Sequence, residues 1–486
     1  MFSKLIDQIK EDKFLIIIPL LTILTRLIIF GFIPHTYEDA FITFRYAENF
    51  ANGNGLVYNI GEHVYGTTTP LFALFLGIFK YLGVSCIISS LSINLISEGI
   101  TSAIVYKFLK DYSKGILAVL VSFLYVFSPS NISWSIQGME TAFFTALIAM
   151  SFYSLYKNKY FLALLFGSFG AVLRIDGLSI PIVIFIFIFV KQRFAAFKYL
   201  ILPLIILLIW EFFLYIYFNS FLPNSMIAKL VLYAGHQKSI FPNLELIFSK
   251  FFLMGYYSSS IITILFVAGI FLIIKQQLNL VPMIVWFIIY YAALILSKTD
   301  IFAWYLIPPL FVFISISGIA IIFVAKQAIK YFQSNFPVVI ILLGIIFFSS
   351  ITLYIKIVQI KDEYSYERNV RVKVGEFLDD STSVYSTVFL EPIGIIGYFS
   401  HRYIYDDAAL ISPQFLELNK LSNTPETSYK KIQMVRPDYL VIRNRYIDEF
   451  YSKTNLKRDY KPIKSFKFDK DFDLYNFPYL TIFARK

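Results

Sequence analysis

Long apolar runs alternate with short polar breaks as far as Ile355, after which the pattern changes. The apolar runs are Phe14–Ile33, Ser85–Tyr106, Gly115–Phe127, Thr141–Tyr156, Tyr160–Leu173, Leu178–Val190, Tyr199–Phe218, Phe251–Ile274, Leu280–Leu296, Trp304–Ala325 and Pro337–Ile355. A helix crosses the hydrocarbon layer with roughly 20 apolar residues, so the pattern predicts about eleven spans, some of them short. Pro70–Leu82 is also apolar, but a full crossing there would move Lys107, Lys110 and Lys114 to the outer side. It is therefore expected as a half-buried or surface helix of the first outer loop. Every short lysine cluster between spans then falls on one side, as the positive-inside rule requires.

Beyond Lys361 the chain is polar and mixed. Ser383–Leu390, Tyr403–Tyr405, Tyr439–Ile442 and Leu480–Ala484 read as strands. Arg368–Leu378, Ser412–Lys420 and Thr427–Val435 read as helices, an alternation that predicts a small α/β sheet. The expected fold is an all-α polytopic membrane protein followed by a small C-terminal α/β domain. Residues 1–356 are expected to form the membrane part and 357–486 an extracytoplasmic domain.

Composition narrows the class. Of 486 residues, 58% are hydrophobic and only 15% charged, which excludes an ordinary soluble domain. The net charge of +11 comes from lysines beside hydrophobic ends, so it points to membrane orientation and not to nucleic acid. A single cysteine, Cys86, excludes an intramolecular disulfide and a cysteine metal cluster. No small-residue cleavage site follows the first run, which is expected to be retained as a span in a multi-pass cell-membrane protein.

Polar chemistry gathers in Thr36 to Pro70, where Glu38, Asp39, Arg45, Glu48, Glu62 and His63 lie beside the first span. Thr36 and Asp39 are spaced as a capping box with Asp in place of Glu. Phe41, Phe44, Ala47, Phe50 and Ala51 recur at helical spacing, and Gly53 and Gly55 end the helix. Asp39 is thus expected in the first turn of an amphipathic helix on the bilayer surface. First-turn acids often serve only as partners of the helix dipole.

The same topology brings other polar residues to the outer face: Glu140, Arg174, Asp176, Lys229, His236, Asp300, Trp304 and Tyr305. Carboxylates there can act as general bases and cations can hold a phosphate. Each can equally be a solvated loop residue or half of an ion pair. The four histidines show no metal-ligand spacing, and no P-loop, dinucleotide glycine pattern or nucleophile elbow is present.

The segment EDAFITFRYAENFANGNGLVYN, with GEHVYGTTTPLFALFL after it, resembles the first outer loop of GT-C class glycosyltransferases. The resemblance is closest to the branch containing terminal arabinofuranosyltransferases of actinobacterial cell walls. Protein O-mannosyltransferases and lipid A aminoarabinose transferases are more distant. SWSIQGMETAFFTAL, VLRIDG, FLPNSMIAKL and EPIGIIGYFSHRYIYDDAALISP are similar to later segments of that branch. The resemblance implies transfer of a sugar from a polyprenyl-phosphate donor to an acceptor hydroxyl outside the cytoplasm, with inversion. The resemblance leaves the acceptor open among glycan, lipid and protein, and implies neither cofactor nor metal.

The family's first-loop acid matches Asp39 as general base. The family often has two adjacent Asp residues where this chain has Glu38-Asp39, so Glu38 stays open as the base. Arg45, Arg174 and Lys229 would hold the departing lipid phosphate. Glu140, Asp176, His236, Trp304 and Tyr305 would line the substrate site. Abundant Ile, Lys, Phe and Tyr are unlike an actinobacterial protein, so arabinose is not carried over. A transporter or flippase of lipid-linked sugars would also have many spans, but would show repeated halves with broken helices at mid-membrane. A receptor or scaffold would not need acids gathered in the first loop.

Overall fold

The computed structural model describes residues 12–113, 116–233, 256–276, 278–297, 300–334, 336–422, 424–468 and 479–486. The chain forms two compact units. One comprises Met1–Pro34, Ser90–Trp210 and Lys238–Ile360; the other comprises His35–Ser89, Glu211–Gln237 and Lys361–Lys486. The polar loop after the first apolar helix thus belongs to the same unit as the polar C-terminal region.

The first unit is helical. Among the described residues of the whole chain, Phe14–Phe32, Cys86–Tyr112, Ile175–Phe218 and Ala303–Phe332 are long and apolar enough to cross a membrane. Ile116–Val126 and Pro129–Ser135 form a pair bent by 54° that could make a further span. Thr141–Tyr156, Tyr160–Leu173, Ile262–Lys275 and Val281–Leu296 are shorter apolar helices, as is Pro70–Tyr81 of the other unit. This is a multi-pass helical membrane protein. The Ile175–Phe218 stretch is interrupted by a tight turn at Arg193–Ala196, entered with Arg193 at a φ of 52°. That break lies between the two runs that the sequence separates.

The bend after Val126 has a local cause. Pro129 has no N–H to donate, and it holds Ser128 extended, at φ −62° and ψ 115°. The carbonyls of Tyr125 and Val126 accept from the Arg26 guanidinium, which the Phe14–Phe32 helix brings in fully buried. Arg26 Nη2 also reaches Glu98 Oε2 at 2.7 Å, and the Tyr125 hydroxyl donates to Glu98 Oε1 at 2.9 Å. The only ion pair this deep thus ends one half of the bent pair, among the described residues.

The second unit is built on a five-stranded sheet with order β2-β1-β3-β5-β4. β1 is Thr387–Leu390, β2 Tyr403–Asp406, β3 Tyr439–Arg443, β4 Tyr460–Phe466 and β5 Leu480–Arg485. β1 pairs in parallel with β2 and β3, and β5 runs antiparallel between β3 and β4. Val388 lies opposite both Ile404 and Tyr439, and Leu440 opposite Phe483. Phe389, Phe415, Leu440, Ile442, Phe450 and Phe483 form the core beneath the sheet.

The Gly394–Ser400 helix links β1 to β2, and the Leu416–Leu421 and Pro425–Val435 helices lead from β2 back across β1 to β3. The order of strands therefore reverses at β1, and the crevice at the C-terminal ends of β1 and β3 is where α/β sheets present polar groups to ligands. The strand signals at β1, β2, β3 and β5 correspond to observed strands, with β1 starting later than expected. β4 is absent from the sequence reading. Its YKPIKSF sequence looks polar because it is an edge strand, exposed along Lys461–Ser465, with a register shift between Pro462 and Lys464.

The first loop folds onto this sheet. Its helix, Glu38–Ala51, buries Ala40, Phe41, Phe44, Tyr46 and Ala47. Phe41 meets the rings of Tyr398 and Phe399 at 5.3 and 5.7 Å. The Asn59 amide donates to the Ile404 carbonyl at 2.9 Å and accepts from the Ile404 N–H at 3.0 Å, covering the open edge of β2 as a strand would. The apolar face expected against lipid is thus spent on protein packing. The expected capping box is not formed either. Tyr37 is the N-cap, and no side chain caps the helix.

Candidate active site

The charged residues of the first loop are best separated by what each already touches. Arg45 lies on the buried face of its helix, beside the end of the Gly394–Ser400 helix. It donates through Nε to the Tyr58 carbonyl at 2.9 Å, through Nη2 to the Arg402 carbonyl at 2.5 Å and through Nη1 to the Gly397 carbonyl. Its plane lies 4.3 Å from the Tyr58 ring centroid. A cation there satisfies carbonyls at a helix C-terminus, and each of its three nitrogens already donates to one. Glu48 pairs with Lys80 at 2.5 Å, Glu62 accepts from the Tyr403 hydroxyl, and His63 packs on the Tyr217 ring at 4.6 Å.

Glu38 and Asp39 differ sharply although they are neighbours. Glu38 Oε1 accepts the Gly394 N–H at 2.6 Å and Oε2 accepts the Ile395 N–H at 3.1 Å. Oε2 also lies 3.3 Å from Arg371 Nη1, which bonds Glu367 Oε1 at 2.6 Å. The Glu38 side chain is 8% exposed and its carboxylate is fully engaged. Asp39 is half-buried, and among the described residues its carboxylate makes no hydrogen bond or ion pair. It is the one acidic side chain of the loop of which this holds among those residues.

Two buried carboxylates facing one guanidinium cannot both ionise cheaply. Burial raises Glu38 above its ordinary value, with Arg371 and the two N–H groups opposing, and pushes Glu367 up to about 8. Their charge in turn holds Arg371 protonated. The consequence for stability has a definite sign. From about pH 4.5 to about 8 the folded protein keeps a proton that the unfolded chain releases, so stability falls as pH rises through that window. Thermal unfolding in detergent should therefore occur at lower temperature at pH 8 than at pH 5. Glu367→Gln should narrow the difference; an unchanged difference would contradict this assignment. A residual slope is expected from Asp406, which burial raises to about 7.

Asp406 and Asp407, in the YDDAAL segment, have internal partners. Asp406 accepts the N–H groups of Ala408, Leu410 and Ile411 at 2.9, 2.5 and 3.3 Å. Asp407 pairs with the buried Lys431 at 2.6 Å. Both hold the turn after β2. Lys229 is half-buried on the Asn224–Tyr233 helix, in the same unit as Asp39. That helix is anchored by Asn224, whose N–H donates to the Tyr65 carbonyl at 2.7 Å. Its amide donates to the carbonyls of Ala409 and Leu410 at 2.7 and 2.9 Å.

A second cluster lies within the helical unit. Arg174 caps the Tyr160–Leu173 helix in extended conformation and turns its side chain onto two acids. Nη1 meets Glu140 at 2.6 Å, while Nε and Nη2 meet Asp176 at 3.0 and 2.9 Å. The guanidinium is sandwiched 5.0 Å from the Phe144 ring and 5.2 Å from Tyr305. The Tyr290 hydroxyl is 3.1 Å from Asp176, and Trp304 packs between Trp134 and Phe302. Asp176 keeps 29% of its side chain exposed. Gly177 permits the turn, since a Cβ there would overlap the Gly170 carbonyl. His236 lies outside the described residues. Sequence reasoning missed Glu367 and Arg371, whose spacing of four resembles an ordinary solvated helix pair.

Comparison with known proteins adds the fold. ArnT from Cupriavidus metallidurans bound to undecaprenyl phosphate matches with a TM-score of 0.61 at 10% identity, over 98% of each chain. Its apo state matches with a TM-score of 0.62 at 11% identity, over 96% of this chain and 97% of that one. The Archaeoglobus fulgidus oligosaccharyltransferase, in complex with zinc and sulfate, matches with a TM-score of 0.53 at 13% identity. That match covers 90% of this chain and 69% of the other. The fold is therefore GT-C-like. A family model described as a domain of unknown function (DUF8728) matches residues 358–482, and no curated protein matches the sequence.

Proposed function

We propose that this protein moves a sugar from a polyprenyl-phosphate donor to an acceptor hydroxyl on the extracytoplasmic face, with inversion, using Asp39 as the general base. The observation that carries the proposal is the contrast within Glu38-Asp39. Glu38 is consumed by two N–H groups and Arg371, whereas Asp39 makes no hydrogen bond or ion pair among the described residues. The GT-C-like fold supports the reaction class. In the reaction the acceptor oxygen bonds to the anomeric carbon as the bond from that carbon to the phosphate oxygen breaks. Asp39 takes the hydroxyl proton, and polyprenyl phosphate departs with the electron pair.

Lys229, in the same unit as Asp39, is assigned to the departing phosphate. Arg174 has Nε, Nη1 and Nη2 on carboxylates, which favours a role holding Glu140 and Asp176 over direct contact with phosphate. Taken by itself, the Asp176, Trp304 and Tyr305 cluster of the helical unit offers an acid and aromatic faces of the kind that contact sugar hydroxyls and rings. Membranes containing the protein should transfer label from polyprenyl-phosphate sugars into a non-donor product. Lys229→Gln should raise the apparent KM for donor roughly tenfold or more, the worth of one hydrogen bond to a charged group. Unchanged donor kinetics would remove Lys229 from the site, and no transfer from any such donor would overturn the proposal.

A further inference from the structure

The crevice at the reversal of strand order in an α/β sheet ordinarily receives a ligand. Here it receives the chain's own Glu38. β1 ends at Leu390, and the Gly394–Ser400 helix that follows begins with the two N–H groups that hold the Glu38 carboxylate. Glycine is required at Gly394, because a Cβ would overlap the Glu38 carbonyl oxygen. Gly397, one turn on, likewise leaves room for the Tyr58 hydroxyl. Arg371 closes the clamp from a π-helical turn, Glu367–Val372, inserted between the Phe336–Tyr366 and Lys373–Ser381 helices. Such turns are uncommon and often mark functional positions.

The clamp therefore grips the residue immediately before Asp39, in the first turn of the same helix. From this geometry we infer that Arg371 and Gly394 are positioning residues, which fix the first turn of the Glu38–Ala51 helix so that the Asp39 carboxylate stays directed at its substrate. The inference rests on the reading of Asp39 as base. It makes the small α/β sheet a brace for the catalytic loop, with the carboxylate in its crevice supplied by the protein itself. Misplacing a reacting group by about 1 Å can cost about a hundredfold in rate, so the brace matters for turnover even where binding is intact.

The test is a double-mutant cycle between Arg371→Gln and Asp39→Asn, measured on the full-length protein with labelled polyprenyl-phosphate sugar. Arg371→Gln should lower kcat roughly ten- to hundredfold, with the donor KM changed less than twofold. Arg371→Lys should recover most of the loss. Nη1 alone makes both acid contacts and Nε makes none among the described residues, so a single ammonium can replace the fork. If Arg371 acts through Asp39, adding Arg371→Gln to Asp39→Asn should cost nothing further. Losses that multiply, or a raised donor KM with kcat unchanged, would overturn the inference. Should Arg371→Gln fail to fold, Glu38→Gln, whose amide oxygen can still accept from Gly394 or Ile395, replaces it in the same cycle: kcat should fall with the donor KM little changed, and nothing further should be lost on top of Asp39→Asn. An Asp39→Asn protein that is itself active would instead refute the base assignment, and that result is read from the single variant.

Discussion

Asp39→Asn should lose roughly 10²–10⁴-fold in transfer rate while still binding donor. Asn keeps the size and hydrogen-bonding shape of the side chain but cannot take a proton. A residue serving only as a dipole partner would tolerate the change with a small loss of stability. Glu38→Gln is the informative comparison. Its amide oxygen can still accept from Gly394 or Ile395, but the charge facing Arg371 is gone. Its loss should be smaller than that of Asp39→Asn and should come with lowered thermal stability. Near-normal rates in Asp39→Asn beside an inactive Glu38→Gln would move the base by one residue. Activity in both would end the claim that this loop carries the chemistry.

The largest effect on stability is expected at Arg26. Arg26→Met leaves Glu98 buried with only the Tyr125 hydroxyl, strips the donor from the Val126 carbonyl, and leaves the Tyr125 carbonyl with the Ser128 N–H alone. Breaking a buried pair from one side costs about 3–5 kcal/mol, because the remaining charge has nowhere to go. Removing both charges with Arg26→Met and Glu98→Leu should recover only part of that loss, since the Val126 carbonyl still lacks the Arg26 donor. Thermal unfolding of the two proteins in one detergent checks the order. A double variant less stable than Arg26→Met alone would show that the pair is not the source of the cost.

Much of this was legible in the sequence, and what was not has physical reasons. The apolar runs and the alternating strands announce themselves because burial sets their pattern locally. The concentration of charge between Thr36 and Pro70 was equally plain, but not its division of labour. Arg45 reads as a phosphate ligand until its three nitrogens are found on backbone carbonyls, two of them from residues far along the chain, Gly397 and Arg402. Glu38 and Asp39 are indistinguishable as first-turn acids. What separates them is that the Gly394 and Ile395 N–H groups hold Glu38 and not Asp39, with Arg371 completing the grip. β4 was hidden by Pro462 and its lysines, the residues that make a tolerable edge strand. The glycines of EPIGIIG serve close approach of the first loop, which no local pattern in that segment reveals.

The central claim is transfer from a lipid-phosphate sugar, and reconstitution tests it most directly. The purified protein is placed in liposomes with a labelled polyprenyl-phosphate sugar and an acceptor extract, and label and free polyprenyl phosphate are followed together. The account predicts that each sugar entering the acceptor pool releases one polyprenyl phosphate, and that both processes stop in Asp39→Asn. Movement of intact donor from one leaflet to the other, with no polyprenyl phosphate released and no dependence on Asp39, would contradict it and identify a flippase.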